Sequence, residues 1–217
     1  VFIGSGQRLV VGGTSSELVA APSRADSGRL ALSIATAGTP IELPEKLITG
    51  GELGGLIEFR SKSLDSAKNE LGRIAVSLSL TFNAQHSLGQ NMLGQIEGDA
   101  GFIGNFFSVP DPRILTNSEN QGSGSMSATF TAAQHNGNFY TDLTGSDYQL
   151  TFGAGGDYSI MRLSDKEVVR IGTGPGTATF DGIELAITAT GDNGDRFLIK
   201  PTDEAARNIA MNAGGKK

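Results

Sequence analysis

GGELGGLIEFRSKSLDSAKNELGRIAVSLSLTFNAQH, residues 50–86, is a proline-free stretch whose apolar residues return at a heptad-like interval. Ile57, Leu64, Leu71 and Leu78 are spaced by seven, and Ala67, Ile74, Ala75 and Phe82 fall beside them. That spacing draws one narrow stripe along a single helix, the pattern of helices that pack lengthwise against other helices. Arg60, Lys62, Asp65, Lys68, Glu70 and Arg73 fill the remaining faces. A helix over 52–86 is roughly 50 Å long at the α-helical rise. Ordinary helices run ~11–12 residues, so this one reads as a strut. Glu52 near its start suits the positive end of the helix dipole. Gly54, Gly55 and Gly72 each cost ~1 kcal/mol against alanine, so close approach of another backbone is expected at them.

Composition bounds the rest. The 217 residues suffice for one large domain or two small ones. Glycine occurs 31 times and tryptophan not at all, which favours many turns and short strands over a helical bundle. The net charge of −6 comes without a cluster of Lys or Arg, which argues against nucleic-acid binding. The absence of cysteine excludes disulfides, thiol nucleophiles and cysteine-ligated metals, and is compatible with export in an unfolded state. No apolar run reaches the ~18–20 residues of a membrane-spanning helix. The start at Val1, without Met or a signal segment, and the abrupt end at Lys217 read as a piece excised from something longer.

Working outward from the helix, residues 1–48 read as short extended segments. Two strands are expected around Gly4-Ser5-Gly6, followed by alternating segments at 30–34 and 41–43 before Pro44. After His86, glycines 89, 94, 98, 101 and 104 break up the chain ahead of Asn105-Phe106-Phe107. The polar run TNSENQGSGS at 116–125 reads as the place where one core stops. From Met126 to Lys200 the signal is β. Strand candidates at 128–131, 148–152, 158–162, 168–171, 177–180, 183–190 and 196–200 are punctuated by turn residues every ~8–12 positions. Residues 203–212 have a helical look, with Ala206, Ile209 and Ala210 on one side.

The fold class is therefore α+β: a long-helix domain with short strands, plus an inserted antiparallel β-sandwich or barrel-like domain. Residues 1–115 form the helical-core domain, with its long helix near 52–86. Residues 116–201 form the inserted all-β domain, and 202–217 return toward the first.

No catalytic, cofactor-binding or metal site emerges. His86 and His135 are too far apart in sequence for a helical zinc pair. His86 is expected to contact the last carbonyls of the helix, with Asn83 and Gln85 sharing in it. His135, beside Asn136-Gly137, reads as an exposed turn residue. Gly153-Ala154-Gly155-Gly156 and Gly172-Thr173-Gly174-Pro175-Gly176 precede strand patterns and not helices, so they read as hairpin turns and not phosphate loops. Asp192-Asn193-Gly194-Asp195 lacks the distal glutamate of a calcium loop and reads as a turn. Phe106 and Phe107 are expected to line the core beneath the helix.

The ordered set of segments resembles the bacterial flagellar hook-associated protein 1 family, the hook–filament junction proteins. The resemblance rests on Ile41-Glu42-Leu43-Pro44-Glu45-Lys46-Leu47 leading into Gly51-Glu52-Leu53-Gly54-Gly55-Leu56. It continues through Phe59-Arg60-Ser61, Leu71-Gly72, Asn83-Ala84-Gln85-His86 and Asn105-Phe106-Phe107-Ser108, and ends in Gly194-Asp195-Arg196-Phe197-Leu198-Ile199-Lys200-Pro201. Ser77-Leu78-Ser79-Leu80 departs from the alanine-rich helix of the family. The resemblance implies a secreted, extracellular structural component of the bacterial flagellum that serves motility and flagellum assembly, not an enzyme. It implies copies of itself in a ring as partners, with the hook protein and the filament-side junction protein on either side, and neither nucleic acid nor membrane. In the family the helical domain forms the tubular wall and the β domain projects outward. The family's terminal coiled-coil segments and their export-chaperone contact are not expected in this stretch. The competing readings from composition are a surface adhesin or carbohydrate-binding module, drawn from 181–201 and the glycine-rich β domain, and a cell-wall hydrolase.

Overall fold

A computed structural model describes residues 2–3, 7–102 and 104–212. Short strands come first. β1 (Phe2–Ile3) and β2 (Gln7–Arg8) pair antiparallel, and the connection expected at Gly4-Ser5-Gly6 lies outside the described residues. β3 (Val10–Val11) and β4 (Thr14–Ser15) form a second pair, with Gly12 at φ 61° in the turn. β5 (Leu18–Pro22), β6 (Leu30–Ile34) and β7 (Ile41–Glu42) make a three-stranded sheet. In β6 it is the small residues, Ala31 and Ser33, that are buried, while Leu30 is exposed. The Glu42 carboxylate anchors the β5–β6 turn by accepting from the Arg24 amide at 2.7 Å and the Ser23 hydroxyl at 3.1 Å.

The strut is present. α1 (Gly51–Phe59), a π-helical turn (Arg60–Leu64) and α2 (Asp65–Ser87) run on without a break. The π turn shifts the faces of α1 relative to those of α2, because each of its residues advances less than in α-geometry. The expected burial of the leucine stripe is corrected. Leu64, Leu71 and Leu78 are 56%, 60% and 61% exposed. The buried side of α2 is instead Asn69, Gly72, Val76, Ser79 and Asn83, itself a 3-4-3-4 repeat. The reason is backbone proximity. A Cβ on Gly72 would stand 1.9 Å from the Thr202 carbonyl oxygen, so no side chain fits there, and Asn83 bonds the Phe107 backbone a few turns on.

The second half is built from short strands. β8 (Phe107–Ser108) lies beside the end of α2, followed by β9 (Arg113–Thr116), β10 (Ser125–Phe130), and the small hairpin of β11 (Gln134–Asn136) and β12 (Asn138–Tyr140). Then come β13 (Tyr148–Phe152), β14 (Asp157–Arg162), β15 (Val168–Thr173), β16 (Gly176–Phe180), β17 (Ile183–Ala189) and β18 (Arg196–Lys200). One sheet has the order β15-β14-β13-β18-β9, the other β10-β17-β16, and every pairing is antiparallel. Period-two alternation turns Tyr148, Leu150 and Phe152 of β13 inward together with Ile183, Leu185 and Ile187 of β17 and Phe197 and Ile199 of β18. Burying each such side chain contributes about 1.5–3 kcal/mol. Val76 of the strut joins this core.

The chain is thus mixed α+β. Among the described residues no sheet closes on itself, so the barrel-like alternative is corrected: β9 and β15 are the outer strands of one sheet, β10 and β16 of the other. The helix expected over 203–212 is also corrected. Only one turn forms, α3 (Ala205–Asn208), because Ile209 leaves it in an extended conformation and leads into β19 (Ala210–Met211), which pairs with β8. The polar run at 116–125 is pinned and not loose: the amides of Gln121 and Gly122 donate to the Asp195 carboxylate at 2.9 and 3.0 Å.

Candidate assembly surface

The outer face of the strut carries Leu53, Leu56 and Phe59 on α1, Leu64 in the π turn, and Leu71, Ile74, Leu78 and Phe82 on α2, all between 43% and 61% exposed. Scattered exposed leucines need no explanation, but a continuous line of them along a rod marks an interaction surface. Ion pairs between Glu58 and Lys62 at 2.6 Å and between Glu70 and Arg73 at 2.8 Å stand on the same rod. From the π turn through α2 the seam follows the heptad stripe legible in the sequence, through Leu64, Leu71 and Leu78, on the side of the rod away from the β domain. On α1 it runs instead through Leu53, Leu56 and Phe59, while Ile57 of the stripe is half-buried beside Ile48 and Gly54.

Beyond α2 the chain forms a loop whose polar side chains bond back to its own backbone while its apolar ones stand in solvent. Asn91 accepts from the amides of Leu93 and Gln95 at 2.9 and 3.0 Å. Gln95 donates to the Ala100 carbonyl at 2.6 Å, and Asp99 accepts from the Ile96 amide at 2.9 Å. With backbone demands met internally, Leu88, Met92, Leu93 and Ile96 are left exposed.

The inner face of the rod is held by polar contacts at close range. Asn83 does the most: its amide nitrogen donates to the Phe107 carbonyl and its oxygen accepts from the Phe107 amide, both at 2.8 Å, so one side chain pairs with a strand like another strand. Ser77 and Thr141 share a hydrogen bond of 2.7 Å, and Asn69 donates to the Asp147 carboxylate at 3.0 Å. Burial pushes the Asp147 carboxyl up to about 6, against the pull of the Lys200 ammonium. The Glu70 side chain lies over Gly145, where a Cβ would come within 2.1 Å of it.

The candidates from sequence scatter. His86 does not reach the last helical carbonyls; its Nδ1 lies 3.1 Å from the Gly104 oxygen, and its ring stacks between Phe82 and Phe102. Asn83 likewise turns to β8 and leaves the helix end alone. His135 is exposed, in β11 next to the hairpin turn at Gly137. The two glycine-rich segments connect β13 to β14 and β15 to β16. Asp195 is 3% exposed and accepts from the amides of Gln121, Gly122 and Asp192, so its oxygens are already engaged by backbone. Phe106 and Phe107 pack on Phe82 at 5.2 and 5.3 Å, although Phe106 keeps 37% exposure. Among the described residues no group of three His, Cys, Asp or Glu could hold a metal ion, and no helix is long and apolar enough to cross a membrane. Sequence reasoning missed Asn69, Ser79 and Asn83 as a seam, because a heptad written in polar and small residues leaves no trace in hydropathy.

Residues 1–102 match the flagellar hook-associated protein FlgK helical domain, and residues 115–201 match the D2-like domain of flagellar hook-associated protein 1. Flagellar hook-associated protein 1 of Escherichia coli K12 is 34% identical over 212 residues, which is 96% of this chain and 36% of that protein. The Salmonella typhimurium protein of the same name is 33% identical over 203 residues, 93% of this chain and 34% of that one. The chain thus spans about a third of the length of the curated relatives it matches. The flagellar hook junction protein FlgK from Burkholderia pseudomallei superposes with a TM-score of 0.84 at 33% identity, covering 98% of this chain and 38% of that structure. On the ordered motifs, the two domain matches and the shared fold, the chain belongs to the flagellar hook-associated protein 1 family.

Proposed function

We propose that this chain is a rigid, non-catalytic wall piece of the junction between the hook and the filament of a bacterial flagellum, acting outside the cell. The observation that carries the reading is the two-faced rod: α2 is fixed to the β domain through Val76 and a row of polar and small residues, while its opposite side presents an apolar seam. A seam of that length is a surface built to be covered. Its occupants are helical segments of the same polypeptide, since the match at 1–102 is to a helical domain and about two thirds of the relatives' length lies elsewhere. Residues 1–115 form the wall module; 116–201 are an inserted module whose two sheets stack as a sandwich facing away from the wall, and the chain from 202 returns to the first module. Copies of the subunit close into a ring through heterologous contacts, with the hook protein on one side and the filament-side junction protein on the other.

The adhesin reading drawn from 181–201 loses its basis, because the inward residues of β17 and β18 are core and the Asp195 carboxylate is taken up by loop amides. The test is a density map of the assembled junction into which the chain is fitted. Leucines 71 and 78 lie against helical density and the β domain points outward if the proposal holds; a seam open to solvent in the assembly overturns it.

A further inference from the structure

The turn at 23–29, which joins β5 to β6, ends in the angle between the rod and the β domain. Its Arg29 pairs with Asp65 of α2 at 2.8 Å, and its Arg24 pairs with Glu119 at 2.5 Å and gives its carbonyl to the Ser118 amide at 2.9 Å. Those contacts are partly exposed and individually weak. One is different. Asp26, 6% exposed, accepts from the ammonium of Lys200 at 3.3 Å, and Lys200, 8% exposed, also meets Asp203 at 3.2 Å. Asp203, 4% exposed, takes a further bond from Arg113 at 2.8 Å, and the adjoining Glu204 binds Lys68 of the rod at 2.9 Å. A single buried ammonium therefore joins the N-terminal sheet, the end of β18 and the segment that seats Gly72.

We propose that Lys200 is a proton-sensitive latch: it holds the 23–29 turn in the angle between rod and β domain, and its hold on Asp26 weakens when a third carboxylate, that of Asp147, becomes charged. Asp147 lines a cavity of about 230 Å³ together with Ala25, Arg29, Arg196 and Lys200. Facing it are Asn69 and Asp65 from the rod, Arg196 and Lys200 from β18, Asp203 from the following turn and Arg29 from the N-terminal turn, while Asp26, Lys68, Arg113 and Glu204 line a second cavity that shares Arg29 and Lys200. Burial opposes the charge on Lys200, yet Asp147, Asp203 and Asp26 together hold its pKa above the ordinary lysine value, so the ammonium stays charged throughout. The titrating partner is Asp147, whose carboxyl is neutral below about 6. While it is neutral, Lys200 is shared by Asp26 and Asp203 alone. A carboxyl raised in the folded state favours the closed joint at low pH, and that preference is lost as the pH rises through about 6.

The test is amide hydrogen exchange of the whole chain between pH 5 and 7, corrected for intrinsic exchange, following 18–34 against 148–199. Full rehydration of the carboxyl, from about 6 to about 3.9, sets the upper limit, so opening of 18–34 grows over that range by up to about tenfold. Asp147→Asn flattens this dependence, and Asp26→Asn lowers protection of 18–34 about tenfold or more while leaving 148–199 unchanged. Arg24→Ala, which removes only the exposed pair, has no such effect. An unchanged pH slope in Asp147→Asn overturns the proposal, as does joint loss of protection in both regions on Asp26→Asn.

Discussion

Gly72→Ala sets two known effects against each other at one position. In an exposed helix the change is stabilising by ~1 kcal/mol, since glycine is the poorer helix former. Here the new Cβ would lie 1.9 Å from the Thr202 oxygen and 2.8 Å from its carbonyl carbon. The obstacle is backbone and cannot rotate away, and Thr202 is itself fully buried. Moving it also strains the bond from the Ala205 amide, 3.2 Å long, that opens α3. Overpacking of this kind costs about 1–3 kcal/mol and a lost hydrogen bond about 1 more. The clash therefore outweighs propensity, for a net loss of about 1–3 kcal/mol. For a chain of this size that lowers Tm by about 3–10 °C. Gly55→Ala is the internal control, because nothing lies within 4 Å of its Cβ position. It is expected to raise Tm by about 2–4 °C. Thermal unfolding followed by circular dichroism reads both. If Gly72→Ala stabilises as Gly55→Ala does, the close seating of the rod on 202–205 is wrong.

Leu71→Asp, which the heptad stripe alone marks as severe, is expected to change the stability of this chain by only about 0.5 kcal/mol in urea unfolding, because the side chain is 60% exposed. Asn83→Ala strips the Phe107 amide and carbonyl of their partner and is expected to cost about 2–3 kcal/mol; a cost under 0.5 kcal/mol would mean water replaces it freely. Asp195→Asn removes a carboxylate that accepts three amides. Burial opposes the Asp195 charge, but those amides hold its pKa below the ordinary aspartate value. Its contribution is therefore present above about pH 3.9 and lost as pH falls through the lower folded value. The variant should be less stable at pH 7 by about 1–3 kcal/mol and lose less on acidification; parallel acid-unfolding curves would contradict this.

The elements that were legible in the sequence are those whose own side chains set the pattern. The strut announced itself through 37 residues without proline, β13 through strict alternation, and β14 and β18 through short apolar runs set off by turn residues. β5, β9 and the β11–β12 hairpin were not, since Leu18–Pro22 ends in proline, Arg113–Thr116 follows Asp111-Pro112, and Gln134–Asn136 is polar throughout. Each becomes a strand through its partner, not through its own composition. The greater miss concerns which face of the rod is buried. Periodicity located a leucine seam, but an apolar stripe says only that something will cover it. Asn83 and Gly72 win the inner face because a backbone lies against them, and hydropathy does not register backbone. The buried Lys200 was equally silent, because its three carboxylates come from positions 26, 147 and 203.

The central claim is that the leucine seam of α2 is a surface made to be covered by helices of the same polypeptide. The chain contains no cysteine, so Leu71→Cys and Leu78→Cys each report one site in it, with any cysteine elsewhere in the full-length protein replaced by serine. Thiol labelling rates measured for each variant in this chain alone and in the full-length protein test the claim directly. The account predicts fast labelling in the isolated chain and labelling slowed at least about tenfold in the full-length protein, the signature of a site opened only by unfolding or local opening. Equal rates in the two would contradict it.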